Sequence, residues 1–383
     1  MNETTLKSFD RQLRLVLDKL PQRRVDLPQN KPSSILIIKL SAMGDALCMM
    51  PAARMISLAF PAATIDWLTT ARTNSTVFAG LDFIKKTILL PTKRIEIIVF
   101  FVRQILQFRR YDLIIDFDQY YQVSELIARF GKISAGFEAP LKGKTFLITS
   151  KYQPDLNEKY QFRNLARQVI NHWLITCPDY EPTLPEILSQ YEPSEELEAS
   201  MNVLDSVSRP VLVIYPGSSQ NAKFRRWAWE NYHQIILNFQ NRCDVIVAGG
   251  PDEIDLAKVL ETGDYRVQNW IGRWSLLDWA WFFRTERPIL LGNDGGLLHV
   301  ADAIGLPTIS IFGPSRFAKW GSVNSHSIAF ETEMDCRPCL RNYLDEVPQY
   351  CWKGTTECLT EISLSAVIRT IECEIERNRN ELY

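Results

Sequence analysis

Three short stretches of this chain hold side chains suited to group-transfer chemistry. The first, Lys39-Leu40-Ser41-Ala42-Met43-Gly44-Asp45, closes an aliphatic run and sets a carboxylate directly after a glycine. Gly44 admits close approach of another group or a positive φ. Asp45 reads in two ways. At a helix start it is an N-cap that accepts backbone N–H bonds. At the mouth of a cleft it is a general base, ionised at neutral pH and able to take the proton of an attacking hydroxyl.

The second stretch runs from Tyr215 to Trp227, YPGSSQNAKFRRW. Gly217, Ser218 and Ser219 offer backbone N–H groups and two hydroxyls, and Lys223, Arg225 and Arg226 offer positive charge; together they suit a diphosphate. The Gly-Lys-Ser/Thr ending of a P-loop is missing, so a solvated basic turn is the competing reading. The third stretch, Gly292-Asn293-Asp294-Gly295-Gly296-Leu297-Leu298-His299, follows an apolar run. Two glycines at a helix N-terminus let an anion reach free N–H groups and the positive end of the helix dipole. Asp294 caps that helix or holds a sugar hydroxyl. His299, one turn in, reaches back to the ligand or is a satisfied interior group. Cys336, Cys339, Cys351 and Cys358 form a separate group. Such thiolates hold a structural zinc or iron, or stay free or paired within a stabilised loop.

These stretches need strands behind them. ILIIKL, Ile35 to Leu40, is a near-continuous apolar run, as a parallel strand covered on both faces requires. A helical pattern follows over 46–58, with Pro51 in its early turns or bending it. TIDWLT and DLIIDF read as further strands with an apolar helix between them. From 141 to 210 prolines and acidic runs point to one or two helices and a linker, with a boundary near Pro182 to Pro185. The alternation restarts at VLVIYPG and runs to a final helix, ISLSAVIRTIECEIERN, with the first domain as one candidate surface for it. The pattern predicts an α/β protein of two Rossmann-like, doubly wound domains facing a central cleft. The first is 1–184, with 1–31 a helical extension; the second is 185–383, with a Cys-rich loop over 336–358. Open sheets of this kind bind ligands at the C-terminal ends of their strands.

A length of 383 residues fits two domains. Hydrophobic residues make up 46% and charged residues 23%, ordinary for a globular chain, and with a formal net charge of −2 no basic excess points to nucleic acid. The first residues lack the apolar run of a signal peptide. Ile95 to Phe108 is too short to span a bilayer and carries Glu96 and Arg103, so it reads as a buried or membrane-facing surface helix. A cytoplasmic location is expected, where disulfides are not the default.

In order along the chain, ILIIKLSAMGDALCMMPAAR, YPGSSQNAKFRRW and GNDGGLLHVADAIGLPTISIFGPS resemble glycosyltransferase family 9, the heptosyltransferase family of lipopolysaccharide synthesis. The resemblance implies a GT-B fold with an acceptor-binding N-terminal domain and a nucleotide-sugar-binding C-terminal domain. It implies inversion at the anomeric carbon with no metal or other cofactor required for catalysis. It further implies ADP-heptose as donor, a lipid-linked glycan or a protein as acceptor, and peripheral association with the inner membrane. By position, Asp45 matches the catalytic base. Ser218, Ser219 and Lys223 match residues around the donor diphosphate, and Asp294, Gly295, Gly296 and His299 match the donor-site helix start. One departure is plain: many heptosyltransferases have Thr after the Asp, where this chain has Gly295. The rival readings are a sugar-nucleotide epimerase of similar architecture, which needs no acceptor, and an inactive homologue that binds or scaffolds.

Overall fold

The chain builds two parallel sheets with the same winding. The computed structural model describes all residues except 1–9, 11–12, 16, 18, 20–28, 41, 72–80, 143–144, 178–187, 189–190, 205–208, 219, 345 and 382–383. The first unit is Met1–Ile187 with Asn342–Asp345; the second is Leu188–Arg341 with Glu346–Tyr383.

In the first unit the elements run β1 (Ser34–Ile38), α1 (Met43–Ala59), β2 (Thr64–Thr69), β3 (Lys86–Leu89), α2 (Arg94–Gln104), β4 (Leu113–Asp116), α3 (Gln122–Ala128), β5 (Ile133–Glu138), β6 (Ile148–Lys151) and α4 (Glu158–His172). The sheet order is β3-β2-β1-β4-β5-β6. β1 pairs in parallel with β4, Ile35 opposite Leu113 and Ile38 opposite Asp116. A strand buried on both faces has no use for alternation, and Ile35, Leu36, Ile37 and Ile38 are all fully buried. Leu36, Ile38 and Ile114 face one apolar cluster with Ile97, Phe100 and Phe108, while α1 packs along α4. Pro51 is the ninth residue of α1, deeper than the early turns, and the helix continues through it. Its missing N–H simply leaves one carbonyl a turn earlier without that helical partner.

The second unit begins with α5 (Glu195–Met201) and continues β7 (Val211–Tyr215), α6 (Trp229–Phe239), β8 (Asp244–Val247), α7 (Ile254–Ala257), β9 (Val267–Asn269), α8 (Leu276–Glu286), β10 (Ile289–Asn293), α9 (Gly296–Ala303), β11 (Thr308–Ile311), α10 (Phe317–Trp320), β12 (Ile328–Phe330), α11 (Glu357–Thr360) and α12 (Leu364–Glu381). Its sheet order, β12-β11-β10-β7-β8-β9, repeats that of the first. The terminal helix α12 stays in its own unit. Val367, Ile371 and Ile375, one turn apart and fully buried, join the core formed by Leu212, Leu291 and Ile311.

Candidate functional site

Strand order reverses once in each sheet, between β1 and β4 in the first and between β7 and β10 in the second. At such a reversal the loops on either side part and leave a crevice. All three chemically rich stretches leave strands that border these two points.

At the first reversal, Lys39 lies just beyond β1 and Asp118 just beyond β4. The Lys39 side chain is fully buried, and its Nζ lies 3.1 Å from Asp45 Oδ2 and 2.9 Å from Asp118 Oδ1. Nζ also donates to Gln119 Oε1 at 3.3 Å, and Asp118 Oδ2 accepts the Leu40 N–H at 2.8 Å. Gln119 in turn donates to Glu158 at 2.9 Å, and the Tyr152 hydroxyl donates to the same carboxylate. The capping reading of Asp45 is overturned. Helix α1 begins at Met43 behind Ala42, without a side-chain cap, so Asp45 is its third residue and turns its carboxylate to Lys39. Two carboxylates, Asp45 and Asp118, pair with one buried ammonium, and a third, Glu158, stands behind Gln119; that imbalance sets the electrostatics. Burial pushes the Asp45 carboxyl up, Lys39 pulls it down, and Glu158 and Asp118 push it up, which leaves it raised to about 6. Burial alone would lower the Lys39 pKa, but the charges of Asp118 and Asp45 outweigh it and hold the ammonium charged. The product is a carboxylate more basic than a free Asp yet mostly ionised at neutral pH.

At the second reversal, Asn293 ties the two loops together. Its Oδ1 accepts from the Trp227 N–H at 3.0 Å and the Tyr232 hydroxyl at 2.8 Å. Its Nδ2 donates to the carbonyls of Pro216 at 2.6 Å and Gly217 at 3.3 Å. Ser218 is buried; its hydroxyl donates to the Ala222 carbonyl at 3.0 Å and accepts from Arg226 Nε at 3.3 Å. Ser219 lies outside the described residues. The cations are engaged by carboxylates. Lys223 Nζ is 3.0 Å from Asp255, with both side chains about half exposed, and Arg226 shares that carboxylate at 3.3 Å. Asp294 is buried and does not cap α9, whose N-cap is Gly295 without a side-chain bond. The Asp294 carboxylate instead accepts from the Ser315 hydroxyl and lies 3.4 Å from Arg225. His299 is half-buried and lines a small cavity with Asp294, Asp302, Ser310 and Trp320.

Tyr215 accounts for the glycine at 295. A Cβ there would stand 2.8 Å from both Cε1 and the hydroxyl oxygen of Tyr215. Gly295 has an extended φ of −176°, so space and not backbone freedom demands glycine. The Gly296 N–H donates to that hydroxyl oxygen, while burial first and Glu253 second hold the phenol proton on. A hydroxyl is therefore present at the start of α9, delivered from β7 by Tyr215.

Lys39, Asp118, Tyr215 and Asn293 are the site residues the motifs did not single out. The signal for Lys39 and Asp118 was a charged residue at the end of an otherwise aliphatic strand, in IIKL and in LIIDFD. Tyr215 carried no such signal, because its role depends on a glycine eighty residues away.

The four clustered cysteines are free and line one cavity with Phe224, Met334 and Arg337. Burial opposes ionisation of Cys351, but backbone N–H groups of Thr356, Lys353, Gly354 and Thr355 converge on it and lower its pKa. Burial pushes Cys358 up to about 11. Among the described residues no three His, Cys, Asp or Glu side chains stand so as to hold a metal ion. As placed, the thiols do not form the ligand set expected for a structural zinc or iron.

The family model described as glycosyltransferase family 9 (heptosyltransferase) matches residues 99–348, more than half of the chain. Lipooligosaccharide heptosyltransferase 2 of Campylobacter jejuni is 21% identical over 172 residues, 43% of this chain and 51% of that protein. The match thus spans about half the length of this curated relative. Among solved structures, a glycosyltransferase family 9 protein from Veillonella parvula superposes with a TM-score of 0.69 at 18% identity, over 90% of this chain and 97% of its own. The E. coli heptosyltransferase WaaC, solved with ADP, gives 0.63 at 18% identity, over 88% of this chain and 99% of its own. At these identities the structural likeness speaks for the fold: an α/β chain of GT-B type.

Proposed function

The chain belongs to glycosyltransferase family 9, and on that premise we propose that it is an inverting transferase. It moves heptose or a related sugar from ADP-heptose to a cell-envelope acceptor, a lipid-linked glycan or a protein. The first unit binds the acceptor and the second binds the donor. The observation that carries this reading is the buried Lys39–Asp45 pair at the strand reversal of the first sheet, with Asp45 raised to about 6.

In the proposed step an acceptor hydroxyl oxygen attacks the anomeric carbon. The bond from that carbon to the phosphate oxygen breaks, and its electron pair leaves on ADP. Asp45 takes the hydroxyl proton. Lys39 keeps Asp45 oriented and, by its charge, ionised. Negative charge grows on the leaving diphosphate, and Lys223, Arg225 and Arg226 supply the opposing charge, so the step draws on no metal. Lys223 can change partners cheaply: its bond to Asp255 is half exposed, and such pairs contribute about 0–1 kcal/mol. Ser218, Ser219 and the glycines Gly295 and Gly296 line the diphosphate, with Asp294 and His299 on the sugar side. ADP as the nucleotide is favoured by the ligand of the E. coli relative.

A structural zinc or iron on Cys336, Cys339, Cys351 and Cys358 would need a ligand set that these thiols do not form as they stand. Elemental analysis of reduced, folded protein tests it; no stoichiometric metal removes the idea.

Two assays test the main proposal. In a thermal-shift series ADP stabilises the protein while UDP and GDP do not. Incubation with ADP-heptose yields glycosylated acceptor, and ADP accumulates only when acceptor is present. Sugar release without acceptor would instead mark an epimerase, and no nucleotide binding at all would mark an inactive scaffold.

A further inference from the structure

Helix α2 is apolar on both its sides, and only one of them faces the protein. Ile97 and Phe100 are buried in the core of the first unit. On the opposite side Ile95 is 77% exposed, Ile98 45%, Val99 42% and Val102 78%. Leu106, 64% exposed in the 3-10 turn Ile105–Arg110 that follows, extends the row. At 3.6 residues per turn the outer side chains share one arc of about 100°. A helix that is apolar all round is ordinarily covered on every side, and an exposed apolar row marks a surface that works in contact with something.

Charge identifies what covers it. Between Phe83 and Arg110 the chain carries Lys85, Lys86, Lys93, Arg94, Arg103, Arg109 and Arg110 against Glu96 alone, within a protein of net charge −2. Lys85, Lys86, Arg103 and Arg109 are exposed. Lys93 pairs with Glu96 at 3.0 Å, and Arg110, itself half exposed, with Asp66 at 3.1 Å. The neighbouring acid, Asp82, is held by Arg54 at 3.0 Å. The outer row contains only aliphatic side chains. Protein interfaces are built round aromatic anchors with directional polar contacts, and this row offers neither. Among the described residues no helix is long and apolar enough to cross a membrane. Aliphatic residues on one side of a short helix, with exposed cations before and after them along the chain, suit the boundary between headgroups and acyl chains.

We propose that α2 and the turn after it form a membrane-docking surface that lies in the face of an anionic phospholipid bilayer. The inference rests on α2 alone and not on the donor chemistry. The test uses the full chain in sedimentation with vesicles of phosphatidylglycerol or of phosphatidylcholine. Sedimentation with phosphatidylglycerol, weaker with phosphatidylcholine and falling as salt rises, is expected. Ile95→Asp with Val102→Asp lowers the partition coefficient at least ten-fold. Arg103→Glu with Arg109→Glu lowers it by roughly five-fold for each cation lost. All four side chains are exposed, so an unchanged melting temperature verifies folding. On the unaltered protein, amide hydrogen exchange slows over residues 94–110 when phosphatidylglycerol vesicles are added. Failure to sediment, equal binding to both lipids, or protection elsewhere overturns the proposal. Self-association abolished by Ile95→Asp with Val102→Asp would also overturn it, by showing that a second copy covers the row.

Discussion

Replacing Gly295 with alanine should strain the start of α9 against Tyr215. The new methyl would sit 2.8 Å from Cε1 and from the hydroxyl oxygen, well inside van der Waals contact. The ring cannot retreat easily. Tyr215 is only 5% exposed, and its hydroxyl oxygen is held by the Gly296 N–H. The extended φ at 295 accepts alanine without backbone cost, so the whole penalty is steric. Overpacking of this kind costs about 1–3 kcal/mol. Tyr215→Phe in the same chain should relieve only part of it, because Cε1 remains. Tyr215→Leu removes both clashing atoms, so the double-mutant cycle of Tyr215→Leu with Gly295→Ala should show a favourable coupling of about 1 kcal/mol or more. Urea unfolding measures stability, and ADP titration of the same variants shows whether a displaced α9 weakens nucleotide binding. A Gly295→Ala protein as stable as the parent, or a cycle with no coupling, would refute the packing described for Tyr215.

The remaining expectations are more direct. Asp45→Asn should lower transfer by about 10²–10⁴-fold with ADP affinity unchanged, since Lys39 keeps Asp118 at 2.9 Å; near-normal turnover would remove Asp45 as the base. Only the ionised carboxylate accepts a proton, so kcat/KM should rise with pH through about 6. Lys39 pulls the Asp45 pKa down, so Lys39→Met should move that rise to higher pH; a rise that stays in place counts against the pair. Lys223→Ala should weaken ADP binding about ten-fold, the loss of one charge-assisted bond, as read by calorimetry. Ile371→Ala should cost about 2–5 kcal/mol in urea unfolding, because its side chain is fully buried in the second core.

The parallel sheets were legible in the sequence because their central strands are aliphatic runs: Ile35 to Ile38, Val211 to Ile214 and Ile289 to Leu291 leave no alternation to misread. Strands β3, β9 and β12 were not. They are three or four residues long, at or near a sheet edge and partly exposed, so KTIL, VQN and IAF carry no burial pattern. β6, Ile148–Lys151, fell in the 141–210 region whose prolines and charges read as helix and linker, and β5, Ile133–Glu138, lies just before it and drew no reading of its own. The glycine pair and the Gly-Asp loop marked the site stretches, but not which way their side chains turn. Asp45 and Asp294 both looked like helix caps, and neither is one. Each instead meets a partner far along the chain, Asp118 through Lys39 and Ser315 directly, and no local pattern encodes such pairings.

Asn293 spends its full hydrogen-bonding capacity, two acceptances and two donations, on holding one loop beside the next. The arrangement makes the lock sensitive to the identity of a single atom. Hydrolysis of this amide to a carboxylate, the slow chemistry by which stored proteins age, would preserve the shape of the side chain. It would nevertheless set an oxyanion against the carbonyls of Pro216 and Gly217, turning attraction into repulsion and freeing the loop from within.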